Sequence, residues 1–285
     1  YHLIRTSLGK GENAVYQTIL QACKSLEWLE QHPAERPRLA VLSAHATSDP
    51  HALDTTSLGG KLFLYLLSVR MDTKPPATAE ERAALYYNCG ILCDSISSSV
   101  TQVGVHLYTD TEEHPAYRAF RLRNEAGTLT LTNLAGIKAA SSSSGKAYLV
   151  ENQMVFSQLC DQAPHFHSPL ICTSGQPTVA VFRLLDMLVS SGTKLFYSGD
   201  FDGKGLSIAL QLLARYPDHL YLWHMTPADY ARCCSDVHLS EASLALLHTC
   251  ANTALAPTAE AIERKGYDGY QELLLSELLA DLIDT

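Results

Sequence analysis

The chain has 285 residues, of which 46% are hydrophobic and 18% are charged, and its formal net charge is −9. This composition excludes a disordered tail, and no apolar run approaches the roughly 20 residues that span a bilayer, so we expect no membrane partner. The acidic balance argues against unaided binding of a polyanion, since chains that do so are usually basic. Contact with nucleic acid would therefore require metal ions, a local basic patch or a basic partner.

The first half of the chain is predicted to be mainly helical. Apolar residues recur at three- and four-residue steps over residues 14–31, and residues 57–70 and 79–93 follow the same pattern. Apolar residues alternate with small or polar ones over residues 103–107 and again over 129–131, which predicts two short strands. Helices followed by a short two-strand ribbon are compatible with a winged-helix element.

A serine-rich run at residues 141–145 is the clearest break in the chain. Residues 1–145 contain 13 Lys and Arg against 14 Asp and Glu, whereas residues 146–285 contain 8 against 16. We therefore expect two domains. Residues 1–145 are predicted to be a helical or winged-helix-like region that binds DNA or a partner, and residues 146–285 are predicted to carry the chemistry.

Strand-like and helix-like segments alternate after this break. This order predicts an α/β domain with a mostly parallel sheet flanked by helices. The predicted strands are 147–150, 169–172, 194–198 and 219–223, and the predicted helices are 153–160, 177–190, 204–215, 226–234, 241–251, 257–264 and 268–283.

Three acidic residues stand where these strands end. Glu151 follows the first predicted strand, and Asp200 and Asp202 follow the third. Ligands bind at the carboxyl ends of the strands in open α/β sheets, and a D-x-D pair on an extended segment points both carboxylates to one side. Converging carboxylates repel each other, and a hard divalent cation such as Mg²⁺ relieves that repulsion. The sequence therefore predicts a metal site at this edge.

The D-x-D-G-x-G segment at residues 200–205 has other interpretations. An EF-hand calcium loop requires an acid at its fifth position and Glu at its twelfth, but Lys204 and Gln211 stand there. A plain turn, in which Asp and Gly serve only backbone geometry, stays open. In a strand–helix junction the glycines would allow a sharp turn and leave helix N–H groups free for a phosphate.

The densest basic cluster consists of Arg118, Arg121 and Arg123. Arg118 and Arg121 share a helix face if residues 115–122 are helical. The cluster is a candidate phosphate-contacting patch, and a solvated helix face is the alternative.

Eight cysteines occur without any C-x-x-C pair. In a chain of this length, that pattern indicates reduced, partly buried thiols rather than a disulfide framework. The spacing does not support a Cys/His zinc site. We therefore expect a cytoplasmic protein.

The segments around the acids resemble the Toprim domain, the metal-binding fold of topoisomerases, DnaG-type primases and OLD-family nucleases. Toprim domains carry a Glu after the first strand and a D-x-D after the third, as this chain does. A closer similarity is to the C-terminal Toprim-like domain of the JetD family, the nuclease subunits of Wadjet anti-plasmid systems. It rests on Val150-Glu151-Asn152, residues 172–177 and 199–205, Trp223-His224-Met225 with Asp229-Tyr230, Tyr270-Gln271-Glu272 and, less specifically, His51-Ala52-Leu53-Asp54 with Leu58-Gly59-Gly60.

This resemblance implies a metal-dependent DNA endonuclease that hydrolyses phosphodiester bonds of double-stranded plasmid DNA. Its implied partners are a condensin-like SMC protein with kleisin and kite subunits, and a homodimer stays open. Asp200 and Asp202 would be the principal ligands of Mg²⁺ or Mn²⁺, and Glu151 would ligate a second metal or act as a general base.

Four further residues belong to the implied site. Lys204 would steady the scissile phosphate or the leaving group, and Glu272 is a further candidate metal ligand. Asn152 and Ser174 would orient the substrate or the metal ligands by hydrogen bonds. Because the chain is acidic, we expect weak, salt-sensitive DNA binding in the absence of a partner.

Two other function classes stay open. Relatives such as the A subunit of type IIB topoisomerases attack DNA with a tyrosine on a winged-helix domain and form a covalent tyrosyl–DNA intermediate. No tyrosine is assigned that role here, and Tyr86, Tyr87 and Tyr117 are the ones to exclude. The other class is a non-catalytic DNA-docking subunit that keeps the fold, although all three acids are present.

Overall fold

A computed structural model describes residues 12–33, 35–92, 98–163 and 165–284. The chain divides into two compact units, Tyr1–Ser97 and Ser98–Thr285. No helix in the described residues is long and apolar enough to cross a membrane. Every cysteine in these residues is a free thiol.

The first unit is helical, as predicted, over its described residues. Its core is a cluster of buried side chains in which Phe63, Leu42 and Leu67 are fully buried. Ser57 and Thr78 begin two of the helices with side chains that accept hydrogen bonds from backbone N–H groups of the first turn. The helices are α1 (Glu12–Gln31), α2 (Leu39–Thr47), α3 (Leu58–Arg70) and α4 (Ala79–Asn88).

The second unit contains the predicted alternation of strands and helices. The strands are β1 (Ser99–Val103), β2 (His106–Tyr108), β3 (Gly127–Thr130), β4 (Ala139–Ser141), β5 (Lys146–Val150), β6 (Leu170–Cys172), β7 (Lys194–Ser198), β8 (Leu220–Leu222), β9 (Cys234–His238) and β10 (Tyr267–Gly269). The helices are α5 (Pro115–Leu122), α6 (Leu131–Ala135), α7 (Gln153–Gln162), α8 (Val179–Ser190), α9 (Gly203–Arg215), α10 (Pro227–Cys233), α11 (Glu241–Leu247), α12 (Ala256–Lys265) and α13 (Leu275–Asp284), with 3-10 turns at His248–Cys250 and Gln271–Leu274.

The central sheet of the described residues has six strands in the order β3-β1-β6-β5-β7-β8. The strands β6, β5, β7 and β8 are parallel to one another, and β1 runs antiparallel to both β3 and β6. Leu149, Val150 and Ile171 are fully buried, as expected for strands that are covered on both faces. The domain is therefore α/β with a mixed, mostly parallel sheet.

The division into units does not coincide with the boundary predicted at residues 141–145. The strands β1 and β3 pair with each other and β1 pairs with β6, so these N-terminal strands extend the central sheet of the second unit. The strand predicted at residues 129–131 corresponds to β3 of this sheet. The strand predicted at residues 103–107 falls across the end of β1 and the start of β2, and β2 pairs with β4 in a separate two-stranded sheet. The partner of β1, β6, lies beyond the serine-rich run in sequence, and local patterns cannot reveal such pairing.

Candidate metal centre

The carboxyl ends of three parallel strands are level with one another. Val150 on β5 pairs with Cys172 on β6 and with Ser198 on β7. The residues that follow these strands therefore lie at one edge of the sheet, as predicted. An open pocket of about 300 Å³ lies there, and it is lined by Glu151, Asn152, Gln153, Met154, Ser174, Gly175 and Asp200.

Glu151 is the most buried acid at this edge, with 7% of its surface exposed. Its Oε2 accepts long hydrogen bonds from the backbone N–H of Asp200 at 3.3 Å and from the hydroxyl of Tyr197 at 3.4 Å. Burial raises the pKa of Glu151 to about 7, and the negative charge of Asp200 adds to the effect. A side chain at position 199 would collide with this carboxylate, because a Cβ on Gly199 would lie 2.8 Å from Oε2.

Asp200 lies beside Glu151 and is half-buried. Burial raises the pKa of Asp200 to about 6; the backbone N–H of Gln271 opposes the shift, and the charge of Glu272 adds to it. The Gln271 N–H donates to Oδ1 of Asp200 at 2.9 Å. Two acids that titrate near neutral pH therefore share this pocket.

Asp202 begins helix α9. Its Oδ1 accepts a hydrogen bond from the N–H of Gly205 at 2.6 Å, and the N–H of Gly203 donates to the Ser243 hydroxyl at 2.7 Å. The expectation that these helix N–H groups are free for a phosphate is therefore wrong, because both have partners within the protein. Asp202 nevertheless stays close to the other acids, since its charge raises the pKa values of Glu151 and Asp200.

The second glycine of the segment is required by packing. A Cβ on Gly205 would lie 2.2 Å from the backbone carbonyl oxygen of Asp200. We expect Gly205→Ala to lower the free energy of unfolding by about 1–3 kcal/mol, because backbone atoms must shift to admit the methyl group. Gly136→Ala is the matched control, since its Cβ would meet nothing closer than 3.7 Å. Urea denaturation checks the prediction, and equal stability of the two variants would contradict it.

Lys204 is exposed and lies at the edge of the pocket. Its Nζ is 3.6 Å from the position that a Cβ on Gly175 would occupy. Its positive charge lowers the pKa values of Glu151 and Asp200 against the stronger effect of burial. Ser174 is exposed beside Gly175, with a positive φ of 58°, and its hydroxyl lies 3.5 Å from the thiol of Cys172. Both predicted residues therefore line or border the same pocket as the acids.

The side chains of Asn152 and Glu272 form a hydrogen bond although the two residues are 120 positions apart in sequence. The Asn152 Nδ2 donates to Oε1 of Glu272 at 2.6 Å, and Oδ1 accepts from the N–H of Met154 at 2.8 Å. Oε2 of Glu272 is buried and has no hydrogen-bond partner in the part of the chain that the structure describes. The charge of Glu272 raises the pKa of Asp200. The predicted fourth acid therefore lies beside the other three.

The acidic side chains lie around the pocket, but they do not converge on a single position. Across the described ranges, no three His, Cys, Asp or Glu side chains are grouped closely enough to hold a metal ion in the arrangement shown. Tyr197, which the sequence analysis did not single out, contacts Glu151 from beneath the pocket. Asp268 is a further acid of this neighbourhood, since burial and the charge of Asp202 raise its pKa.

The three predicted basic residues lie on or directly after α5 and form ion pairs. Arg121 donates two hydrogen bonds to Glu113, at 2.8 and 2.9 Å, and Arg118 lies 3.6 Å from the same carboxylate. Arg123 pairs with Glu125 at 2.7 Å. These carboxylates offset part of the positive charge, and phosphate contact by the cluster stays a prediction.

Of the three tyrosines named as possible nucleophiles, Tyr86 and Tyr117 are buried, with 2% and 8% of their surfaces exposed. The Tyr117 hydroxyl donates to the carbonyl of Thr128 at 3.3 Å. Tyr87 is partly exposed, and the guanidinium of Arg36 lies over its ring. The arrangement offers no support for a nucleophilic role of the two buried residues.

Two family models match the chain. One, described as the C-terminus of a protein of unknown function (DUF2399), matches residues 127–282, and another, described as the N-terminus of a protein of unknown function (DUF3323), matches residues 1–107. A comparison with curated proteins found no match. The first model covers more than half of the chain, from β3 into α13, and includes every acid of the pocket. The chain therefore belongs to the family that the DUF2399 model defines.

Proposed function

We propose that this chain is a Mg²⁺- or Mn²⁺-dependent DNA endonuclease of the Toprim type, and that it acts as the nuclease subunit of a condensin-like anti-plasmid system. The resemblance to the JetD family supports the proposal, and the segments that carry it fall within the two matched regions. The α/β sheet with acids at its strand ends is the arrangement that this resemblance implied.

One observation carries the proposal: Glu151 and Asp200 line one pocket beside Asp202 and Glu272, and these carboxylates have too few hydrogen-bond donors. Glu151 and Asp200 have pKa values raised to about 7 and about 6, and Oε2 of Glu272 has no partner among the described residues. An unpaired buried polar atom costs about 1–3 kcal/mol, and more when it is charged. A divalent cation with oxygen preference fits this donor set, because it would satisfy the carboxylates together.

The residues of the pocket would have different roles in phosphodiester hydrolysis. Asp200, Asp202 and Glu272 would hold the cation. When bound, a divalent cation supplies an activated water and neutralises charge on the phosphate. Glu151 would accept a proton near neutral pH, which its pKa of about 7 suits, or would ligate a second cation. Lys204 extends from solvent to the pocket edge, where it would steady the scissile phosphate.

Incubation of supercoiled plasmid with the chain, the purified condensin-like partners and ATP tests the proposal. We expect linear or nicked product with Mg²⁺ or Mn²⁺ and none after chelation by EDTA. The isolated chain should bind DNA weakly, because its net charge is −9. Its affinity should fall as the salt concentration rises, because contacts to phosphates are weakened by salt. Cleavage that persists in EDTA would contradict the metal-dependent mechanism.

Two alternative functions give different outcomes in the same assay. A topoisomerase-like enzyme would leave a covalent protein–DNA adduct after denaturation. A non-catalytic docking subunit would retain DNA in the partner complex without any cleavage. Tyr86 and Tyr117 are buried, which argues against these two residues as the nucleophile of a tyrosyl intermediate.

A further inference from the structure

The Asn152 side chain has a fixed orientation because of its place in the fold. It begins helix α7 directly after Glu151, and its Oδ1 accepts the N–H of Met154 at 2.8 Å. This bond decides which end of the amide faces the helix. The Nδ2 group therefore points away from the helix and donates to Oε1 of Glu272 at 2.6 Å. Asn152 uses both ends of its amide inside the protein.

The segment that carries Glu272 is attached to the strand-end loops at three places. Phe201 and Gly269 exchange two backbone hydrogen bonds, at 2.8 and 3.0 Å. The N–H of Gln271 donates to Oδ1 of Asp200 at 2.9 Å. The third attachment is the bond between Asn152 and Glu272. Among the described residues, this third bond is the one that involves the Glu272 carboxylate, and it orients the second carboxylate oxygen.

That second oxygen is the atom that lacks a partner. Oε2 of Glu272 is buried without a donor in the described residues, and the charge of Glu272 acts on Asp200. A hydrogen bond to one oxygen of a metal-binding carboxylate fixes its orientation and leaves the other oxygen for the metal. The bond from Asn152 to Oε1 has this form.

We infer that Asn152 is a positioning residue, which holds Glu272 so that Oε2 faces the cation bound by Asp200. Asn152 thus acts through Glu272. The inference rests on the proposed function, because it assumes that the pocket binds a divalent cation. It adds that the C-terminal 3-10 turn supplies a ligand whose orientation depends on the first strand–helix junction of the pocket.

Isothermal titration of the 285-residue chain with MnCl₂ tests the inference without measuring cleavage. Asn152→Ser keeps a hydroxyl that can begin α7 but removes the amide donor. Glu272→Gln removes the ligand charge. We expect Asn152→Ser to lower Mn²⁺ affinity about 10- to 100-fold, the usual effect of losing an outer partner of a ligand, and Glu272→Gln to lower it at least as much. Thr78→Ala is the control, since it removes a comparable helix cap in the first unit and should leave Mn²⁺ affinity unchanged.

The double variant Asn152→Asp with Glu272→Gln separates positioning from simple attachment. It keeps the net charge and allows the hydrogen bond to re-form with donor and acceptor exchanged, but it moves the carboxylate away from position 272. We expect the melting temperature of the double variant to match that of the wild-type chain. Its Mn²⁺ affinity should stay as low as that of Glu272→Gln. Recovery of the affinity would overturn the inference, because attachment of the segment would then suffice.

The wild-type titration separates failure of this inference from failure of the proposed function. Wild-type binding that Asp200→Asn abolishes, combined with unchanged binding in Asn152→Ser and Glu272→Gln, would overturn the positioning role alone. Absence of Mn²⁺ binding by the wild-type chain would overturn the metal site and the inference together.

Discussion

Asp200→Asn and Glu151→Gln are each expected to reduce metal-dependent plasmid cleavage about 10³-fold. A divalent cation contributes several kcal/mol to a phosphoryl transition state, and each ~1.4 kcal/mol corresponds to a tenfold change in rate. Asp200→Asn keeps an oxygen that can accept the Gln271 N–H, so the loop should stay in place while the ligand charge is lost. The measurement is the single-turnover cleavage rate with Mn²⁺ and the partner complex.

An exposed acid provides the matched control for these substitutions. Asp218 lies in the turn after α9 and is exposed, so Asp218→Asn removes one negative charge without changing the pocket. It should cleave at the wild-type rate. Wild-type rates in both Asp200→Asn and Glu151→Gln would contradict the assignment of the pocket as the active site.

Glu151→Gln is also expected to stabilise the metal-free protein at high pH. The pKa of Glu151 is raised from 4.5 to about 7 by burial and by the charge of Asp200. The folded state therefore holds a proton that the unfolded state releases between these pH values. Stability from this group is fully present below about pH 4.5 and is lost as pH rises through about 7, by on the order of 3 kcal/mol. Glutamine resembles the protonated form and avoids that loss.

The two proteins should accordingly be about equally stable near pH 4 and should diverge as pH rises from about 4.5 to about 7, with the variant more stable. Urea unfolding in a Trp28→Phe background checks this, because the remaining Trp223 is buried against Tyr148 and reports on the second unit. Mg²⁺ should bind the folded wild type and so reduce the difference in unfolding free energy between the two proteins at pH 8. If the difference in unfolding free energy between the wild type and Glu151→Gln does not change with pH, the burial of a charged Glu151 is contradicted. Glu260→Gln, at an exposed position, is the control.

The sequence predicted the second unit well because its signals are local. Short apolar runs such as Leu195-Phe196-Tyr197 form largely buried strands, and the predicted strand ends place Glu151 and Asp200 at the same edge. The helix predicted over residues 14–31 appears as α1, for the same reason. Periodicity and turn residues are properties of a short segment, so one sequence suffices to recognise them.

Features that depend on distant residues were not predictable in this way. The pairing of β1 with β6 joins residues on opposite sides of the serine-rich run. The compact units therefore divide between Ser97 and Ser98 and not at residues 141–145. The small sheet of β9 and β10 was missed because residues 234–238 are mostly polar and largely exposed. The role of Asp202 as a helix cap depends on the path of the backbone after the strand.

The bond between Asn152 and Glu272 is the clearest site feature that sequence could not supply. The resemblance placed both residues near the metal, but only the folded chain shows that one orients the other. Likewise, the contact of Tyr197 with Glu151 requires the Gly199 backbone to leave room for both groups. Such arrangements arise from packing of three strand ends against the C-terminal turn.

Anomalous scattering from crystals soaked in Mn²⁺ tests the central claim most directly. The account predicts a Mn²⁺ peak in the pocket at the ends of β5 and β7, within coordination distance of Asp200, Asp202 and Glu272 and close to Glu151. The peak should be absent from crystals of Asp200→Asn. A pocket without Mn²⁺ at concentrations that support plasmid cleavage, or a metal held only by other residues, would contradict it.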